Sequence, residues 1–154
     1  MSIALLVCFL IGLNVALAVG KPENNCNYFR YSVTDHGRNH IGIFTADKAN
    51  IKSFYWQAKF SVHGAHKDQV DQIDPFPSTR ELADDIKAGR KAEVSVRFQN
   101  IENNELPKLI FFALNGKTLC RDTGYEAPVT TITVGRRMSF QPKETRTPRP
   151  LEIF

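Results

Sequence analysis

The sequence has few cysteines, no acceptor site for N-linked glycans and no charged residue in its first 20 positions. Three cysteines in 154 residues exclude a small scaffold held by several disulfides and a zinc site built from cysteine clusters. The tripeptide Asn-x-Ser/Thr is absent, so N-glycosylation is not expected. No second long hydrophobic run follows the opening one, and we therefore expect no membrane-spanning segment.

The uncharged opening of the chain is typical of an export signal. Its apolar run, from residue 3 to residue 17, is too short and too poorly flanked to be a membrane span. Ala16 and Ala18, or Ala18 and Gly20, provide the small residues that a signal peptidase requires, so cleavage after Ala18 or after Gly20 remains open. The alternative, a buried helix of the mature fold, is disfavoured because such a helix usually has a polar face. We predict that residues 1–20 are a signal peptide and that the protein is secreted and extracellular.

Two cysteines remain once the predicted signal, with Cys8, is removed: Cys26 and Cys120. In an oxidising compartment, two cysteines in a small domain are most simply interpreted as one disulfide. A role as nucleophile or metal ligand is disfavoured, because a catalytic thiol needs a base and a cysteine metal site needs more ligands. We therefore predict a structural Cys26–Cys120 bridge.

Hydrophobic residues alternate with polar ones along much of the remaining chain, which is the pattern of half-buried β-strands. The alternation is clearest in Phe54 to Val62 and in Ala92 to Gln99. Asn115-Gly116 lies between two further strand patterns, Lys108 to Leu114 and Lys117 to Cys120, and predicts a two-residue hairpin turn. Weaker strand signals occur at Tyr28 to Val33, Ile41 to Phe44, Gln69 to Ile73 and Thr130 to Val134.

One helix interrupts these strands. Ser78 and Glu81 have the spacing of an N-terminal capping box, and Gly89 lies where a helix would end. Several hairpin-connected strands with one short helix and one bridge predict an all-β domain. We expect an antiparallel β-sandwich with immunoglobulin-like packing over residues 21–134.

The C-terminal segment, residues 135–154, differs in composition from the body of the chain. It contains five Lys or Arg against two Glu, together with three prolines, and it is predicted to be a disordered tail or linker. Arg136-Arg137 would mark a processing site at its entry. The positive charge would permit weak contact with anionic glycans, although a solvated linker is the simpler interpretation.

Several segments of the chain resemble the N-terminal domain of the gastrulation-defective-type serine proteases of insects. They are Cys26 to Tyr31, Gly42-Ile43, Phe60 to Gly64, Pro75 to Pro77, Glu81-Leu82, Asp85-Ile86, Gly89-Arg90, Val96 to Phe98, Leu106 to Leu109 and Leu114 to Cys120. The resemblance implies a domain that stands ahead of a linker and a trypsin-like protease in extracellular cascades. The two cysteines of that domain match Cys26 and Cys120.

The chain departs from these proteases in its catalytic part. It has no Gly-Asp-Ser-Gly segment and no Ala-Ala-His-Cys segment, which a trypsin-like triad would require. No catalytic residue is therefore assigned, and we expect that this chain is not an enzyme.

The candidate binding residues are polar or basic side chains on predicted strand faces and loops: Tyr55, Lys59, His63, His66 and Arg97. His63 and His66 lie three apart and suggest zinc, but no third ligand is near them in sequence, so loop histidines are the favoured interpretation. The acidic residues Asp68, Asp71 and Asp74 lack the spacing and the glycine of a calcium loop. We predict no metal and no cofactor.

These observations favour a secreted, non-catalytic protein-binding or regulatory module of extracellular serine protease cascades. Its partner would be an extracellular protein such as a serine protease or zymogen, and nucleic acid is not expected. One alternative is the N-terminal regulatory fragment of a trypsin-like protease whose catalytic domain is missing from this chain. Another is a carrier of small apolar ligands, with a cavity lined by large aromatic residues: Phe54, Trp56, Phe60, Phe98, Phe111 and Phe112.

Overall fold

Most of the predicted strand segments form strands, and the described part of the chain contains eight strands and one helix. The computed structural model describes residues 18–141. The strands are β1 (Phe29–Thr34), β2 (Asn39–Thr45), β3 (Ser53–His63), β4 (Asp74–Pro75), β5 (Glu93–Phe98), β6 (Lys108–Leu114), β7 (Lys117–Arg121) and β8 (Val129–Ser139), and the helix α1 is Thr79–Lys87. Residues 1–17 of the predicted signal peptide and residues 142–154 of the predicted tail lie outside the described residues.

The strands form two antiparallel sheets, with strand orders β1-β2-β5-β4 and β7-β6-β3-β8. Aromatic side chains join the sheets: the ring centroid of Phe44 lies 4.7 Å from that of Phe112, and Phe60 lies 5.5 Å from Phe98. These contacts place the core between the sheets, as in a β-sandwich. The predicted all-β fold class, with one short helix and one disulfide, is confirmed. Within residues 18–141, no helix is long and apolar enough to cross a membrane.

Strand β3 is an inner strand of the second sheet, because it pairs with β6 on one side and with β8 on the other. Its alternate residues point into the core and are fully or almost fully buried: Phe54, Trp56, Ala58, Phe60 and Val62. The intervening residues Tyr55, Gln57 and Lys59 lie on the opposite face. The period of two in the sequence thus fixes both the core and the outer surface of this sheet.

Gly42 in β2 is required by the packing of the core. A Cβ atom at this position would lie 2.5 Å from Cε2 of Phe29 and 3.0 Å from the ring of Phe98. Because such contacts are far shorter than van der Waals distances, any side chain here would displace the Phe29 ring.

The predicted helix has the predicted cap. The Ser78 hydroxyl accepts a hydrogen bond from the Glu81 backbone N–H at 3.2 Å and donates one to the Glu81 carboxylate at 2.9 Å. Gly89, just beyond the last turn, has a φ of +74°, which suits glycine. Leu82 is the buried residue of α1 and packs against the core.

The predicted disulfide is present. Cys26 and Cys120 are bonded, their Cα atoms lie 5.5 Å apart, and 94 positions separate them in sequence. The bridge joins the segment that precedes β1 to strand β7, so it ties one sheet to an edge of the other.

Two sequence predictions about strands need correction. Gln69 to Ile73 is not a strand: it runs beside β5 with irregular hydrogen bonds, and the only regular pairing there is the two-residue β4. Pro75, in β4, has no N–H to continue a ladder. In contrast, the last strand does not stop at Val134 but continues to Ser139. Residues 135–139 therefore belong to the folded domain and not to the tail.

Removing the disulfide should cost much of the stability of the domain. In the chain-entropy model a closed loop of 94 positions is worth about 4 to 5 kcal/mol. We expect the double variant Cys26→Ala/Cys120→Ala to lose a free energy of unfolding of that order in urea titrations. A loss below about 1 kcal/mol would show that the bridge does not constrain the unfolded chain.

Tyr31 should stabilise the contact between the sheets through its hydroxyl. This group donates to the Pro107 carbonyl at 2.8 Å and accepts from the Leu109 N–H at 3.2 Å. Tyr31→Phe leaves both backbone groups without this partner, so we expect a loss of about 1 to 3 kcal/mol in urea unfolding. Tyr28→Phe is the matched control, since the Tyr28 hydroxyl has no hydrogen bond to a described residue. A loss in the control equal to that in Tyr31→Phe would contradict the assignment.

The same variant should change the response of the protein to alkali. Burial raises the pKa of the Tyr31 hydroxyl well above its ordinary value of 10.0. Folding therefore favours the protonated hydroxyl. The stability that this hydroxyl contributes is fully present below the pKa of Tyr31 in the unfolded chain, and it is lost as the pH rises above that pKa. We expect the stability difference between wild type and Tyr31→Phe to narrow between pH 7 and about pH 11.

Candidate functional site

The outer face of the β7-β6-β3-β8 sheet gathers aromatic and basic side chains. Register pairs set them side by side: Lys59 of β3 opposes Phe111 of β6, Phe111 opposes Arg121 of β7, and Tyr55 opposes Arg137 of β8. We call these residues, Tyr55, Lys59, Phe111, Arg121 and Arg137, the basic sheet face. Four different strands contribute to it, so it exists only in the folded sheet.

The cations of this face lie against its aromatic rings. The Lys59 Nζ atom is 5.3 Å and the Arg121 Cζ atom 5.2 Å from the centroid of the Phe111 ring. The Arg137 Cζ atom is 3.9 Å from the centroid of the Tyr55 ring. These distances are typical of cation–π contacts, which hold a charged group in place while leaving it open to solvent.

The charged side chains in the strands of this sheet are all positive. Strands β3, β6, β7 and β8 contain no Asp and no Glu. Three of their cations pair with carboxylates from outside the sheet: Lys108 with Asp122, Lys117 with Asp47, and Arg136 with Asp74. Within residues 18–141, no carboxylate lies within ion-pair distance of Lys59, Arg121 or Arg137. The basic sheet face is therefore an uncompensated positive surface, suited to an anionic partner.

The hairpin that follows β6 holds Tyr55 in position. Asn115 and Gly116 have φ angles of +51° and +79°, as the predicted two-residue turn requires. The Asn115 side chain accepts from the Tyr55 N–H at 2.7 Å and donates to the Ser53 carbonyl at 3.0 Å. The turn residue thus anchors the start of β3, from which the Tyr55 ring extends under Arg137.

The two histidines of the predicted site are used in loop contacts. Nε2 of His63 lies 2.8 Å from a Glu105 carboxylate oxygen, and Nε2 of His66 lies 3.0 Å from one of Glu102. The His63 ring also stacks on Tyr125 at 4.2 Å between centroids. Each imidazole has its own glutamate, so the pair connects the loop after β3 to the loop before β6.

Tyr125 completes this loop contact. Its hydroxyl donates to the Leu106 carbonyl at 2.7 Å. Burial, with a smaller contribution from the nearby Glu105 carboxylate, raises the pKa of Tyr125 to about 12. The hydroxyl thus stays protonated at physiological pH, and its hydrogen bond to the Leu106 carbonyl supports the loop.

Metal-ligating side chains do not cluster in the described part of the chain. Residues 18–141 hold no group of three or more His, Cys, Asp or Glu placed to bind an ion. The three aspartates that resembled a cation cluster have separate partners: Asp68 bonds to Asn100, Asp71 to the Gln72 N–H, and Asp74 to Arg136.

The five predicted binding residues do not form one site. Tyr55 and Lys59 lie together on the basic sheet face, whereas His63 and His66 lie at and beyond the end of β3. Arg97 is exposed on β5, in the other sheet. The structure therefore divides the prediction into three locations, of which only the basic sheet face joins residues from several strands.

Phe111, Arg121 and Arg137 are the members of this face that the sequence prediction missed. Phe111 was assigned to the apolar lining of a cavity, but it faces outward while Phe112 is fully buried. Adjacent strand residues point to opposite faces, so the Phe-Phe pair itself indicated that one ring lies outside the core. Arg137 was assigned to the tail.

The aromatic residues proposed to line an apolar cavity instead fill the core. Phe54, Trp56, Phe60, Phe98 and Phe112 are each at most 4% exposed and pack against one another, by stacking or edge to face. A surface cleft of about 360 Å³ lies elsewhere, beside α1, lined by Ile51, Ile86 and Phe140 among others. The packing between the sheets thus gives no support to a carrier of small apolar ligands.

Arg136 and Arg137 lie inside strand β8 and not in a linker, which corrects the predicted position of the dibasic site. The Arg136 guanidinium donates to the Ile73 carbonyl at 2.7 Å and contacts the Asp74 carboxylate. Arg137 pairs in register with Tyr55 of β3. A trypsin-like protease would have to detach the end of β8 before cleaving here.

We expect the folded protein to resist trypsin at Arg136 and Arg137. A protease needs a locally unfolded segment, and both residues are held in the β3–β8 ladder. Mass spectrometry of a limited trypsin digest of the oxidised protein should find this sequence uncut until urea unfolds the domain. Rapid cleavage after either residue in the native protein would show that the end of β8 opens readily.

The sequence over most of this fold matches a known protein family. A family model described as the serine protease gd N-terminus matches residues 24–130. The match includes Cys26 and Cys120 and all elements from β1 to β7. No curated protein and no solved structure matches the chain. Since the family match covers more than half of its residues, the chain belongs to the family of serine protease gd N-terminal domains.

Proposed function

We propose that this chain is an extracellular, non-catalytic binding module that regulates serine protease cascades through its basic sheet face. The observation that carries the proposal is the set of three cations, Lys59, Arg121 and Arg137, held over aromatic rings without carboxylate partners among the described residues. Such a surface attracts an acidic partner and excludes a basic one.

The disulfide supports an extracellular location. Cys26 and Cys120 are bonded, and structural disulfides persist in oxidising compartments and are rare in the cytosol. The family of the domain points the same way, because its description names a serine protease. We accordingly propose a secreted protein whose partner is a serine protease or zymogen of a cascade.

The aromatic residues of the basic sheet face provide a second kind of contact for a partner, in addition to charge. Tyr55 and Phe111 are half-buried, and aromatic and arginine side chains are the residues that contribute most to protein interfaces. A partner with carboxylates around a small apolar surface would complement both features. The strands hold these side chains in place before binding, which reduces the entropy that binding costs.

A second candidate function is the N-terminal regulatory part of a trypsin-like serine protease. It is favoured by one observation, that the matching family model describes the N-terminus of such a protease. The two functions use the same surface: a separate module would contact a protease in another chain, and a regulatory segment would contact its own catalytic domain.

Reversal of the charges on the face should weaken binding while leaving the fold intact. The variant Lys59→Glu/Arg121→Glu/Arg137→Glu should bind a full-length gd-type serine protease zymogen, inactivated at its nucleophilic serine, about tenfold or more weakly. The strands retain all their hydrogen bonds and core residues, so the unfolding transition should remain cooperative. Biolayer interferometry with the full disulfide-bonded chain would measure the affinity.

The matched control reverses three exposed cations away from the face, Arg38, Arg80 and Lys91, which have no carboxylate within ion-pair distance among the described residues. Arg38→Glu/Arg80→Glu/Lys91→Glu changes the net charge equally and should alter the affinity by no more than about twofold. Equal weakening by both triple variants would mean that only net charge matters, and it would contradict a localised interface. Absence of binding by the wild-type chain would contradict the proposed function.

A further inference from the structure

Strand β8 is the longest edge strand of the domain and has an open side. Among residues 18–141 it pairs only with β3, along all 11 of its residues and without a bulge. The other edge strands are β1, β4 and β7, with 6, 2 and 5 residues, and β7 is interrupted by a register shift. Natural proteins usually protect a long edge with proline, a bulge or charged side chains. Strand β8 contains no proline and no bulge, and its two charged residues, Arg136 and Arg137, are confined to its C-terminal half.

The hydrogen bonds at the two ends of β8 determine which of its backbone groups face outward. The Phe140 N–H donates to the Lys52 carbonyl at 2.8 Å, and the Gly64 N–H donates to the Pro128 carbonyl at 3.1 Å. In an antiparallel ladder every second residue directs both its N–H and its C=O at the same neighbour. Even-numbered residues of β8 therefore bond to β3, and odd-numbered residues point away from it.

The outward-facing groups are those of Thr131, Thr133, Gly135 and Arg137. In the part of the chain that the structure describes, no backbone or side-chain group bonds to the N–H or C=O of these four residues. They form a row of alternating donors and acceptors, as an added strand requires.

The side chains of Thr131, Thr133 and Arg137 lie on the same side of the sheet as the basic sheet face, because odd-numbered residues of β8 oppose Tyr55, Gln57 and Lys59 of β3. A strand added to β8 would place every second side chain on this face, beside Thr131, Thr133 and Arg137. Carboxylates on these side chains of the added strand would contact Arg137 and would be attracted by the positive charges of Lys59 and Arg121.

We propose that an extended acidic segment of a partner protein binds to the open edge of β8 by β-strand addition. This inference rests on the proposed function and specifies how the partner is held: backbone hydrogen bonds to β8 give affinity, and the cations select acidic side chains. A second copy of the chain is a poorer occupant, because pairing two β8 strands would join two sheets that both lack carboxylates in their strands.

The first test uses peptides with the unmodified, full-length, disulfide-bonded protein. The probe is a short acetylated peptide of alternating threonine and glutamate, and its control is the same peptide with N-methyl groups on the backbone nitrogens that would face β8. Both have the same charge, but the control cannot donate to the edge. We expect the control to bind about tenfold or more weakly. We also expect NMR hydrogen exchange to show new protection of the Thr131, Thr133, Gly135 and Arg137 amides with the first peptide alone.

The second test uses variants of the protein. Thr133→Pro removes an outward N–H but no bond to β3, since proline is tolerated where the N–H of an edge strand faces solvent. It should weaken the binding of the threonine–glutamate peptide about tenfold or more, whereas Thr133→Val should change it by no more than about twofold. Arg137→Glu leaves the edge open and should weaken binding by removing the charge contact. If Thr133→Pro fails to fold, the comparison of the two peptides decides the question.

The outcomes separate this inference from the proposed function. Equal binding of the two peptides, with loss on Arg137→Glu, would overturn strand addition while leaving an acidic partner for the face. Binding of a sulfated heparin oligosaccharide without binding of the threonine–glutamate peptide would overturn it in favour of a glycan. Sedimentation of the free protein as a dimer that Thr133→Pro dissociates would overturn it in favour of a second copy.

Discussion

The alternation of side chains along β3 is the constraint on which the rest of the structure depends. Every second residue of this strand is buried between the sheets, and the strand pairs with β8 along its whole length and with β6 from Trp56 to Ser61. A slip of one residue would move Trp56 and Phe60 to solvent and bring Lys59 into the core, at a large cost in free energy. The same alternation that builds the core therefore places Tyr55 and Lys59 outside.

The distribution of charge follows from this arrangement. The carboxylates of the described residues lie in the other sheet, in α1 and in loops, while the β7-β6-β3-β8 sheet has only cations in its strands. Aromatic rings hold three of these cations on the outer face. The inner face of the β7-β6-β3-β8 sheet thus packs into a neutral aromatic core, and its outer face is a positive surface with aromatic residues.

Much of the fold could be predicted from local sequence, because the signals there are short-range. The ends of β3 and β6, the Asn115-Gly116 turn and the Ser78 cap depend on alternation, φ angles and neighbouring side chains. The disulfide required only a count of the cysteines that follow the opening apolar run. The weak Gln69 to Ile73 pattern failed because its hydrogen bonds to β5 are irregular, and no local rule specifies them.

The candidate site was less predictable, because it is made by register between strands distant in sequence. Phe111 and Arg121 meet Lys59 only through the β3–β6–β7 pairing. Arg137 joins them because β8 continues past Gly135 and two arginines, a sequence that resembles the start of a linker. Arg136 can face inward there because the Ile73 carbonyl and Asp74 bind its guanidinium, a long-range contact that the sequence pattern does not show.

We propose that this domain binds its partner through the β7-β6-β3-β8 sheet and the edge of β8. Amide hydrogen exchange of the full disulfide-bonded chain, alone and in complex with a gd-type serine protease zymogen, tests it most directly. The account predicts new protection in β8 and in the hairpin of β6 and β7, with β1, β2 and β5 unchanged. Protection confined to the β1-β2-β5-β4 sheet would contradict it.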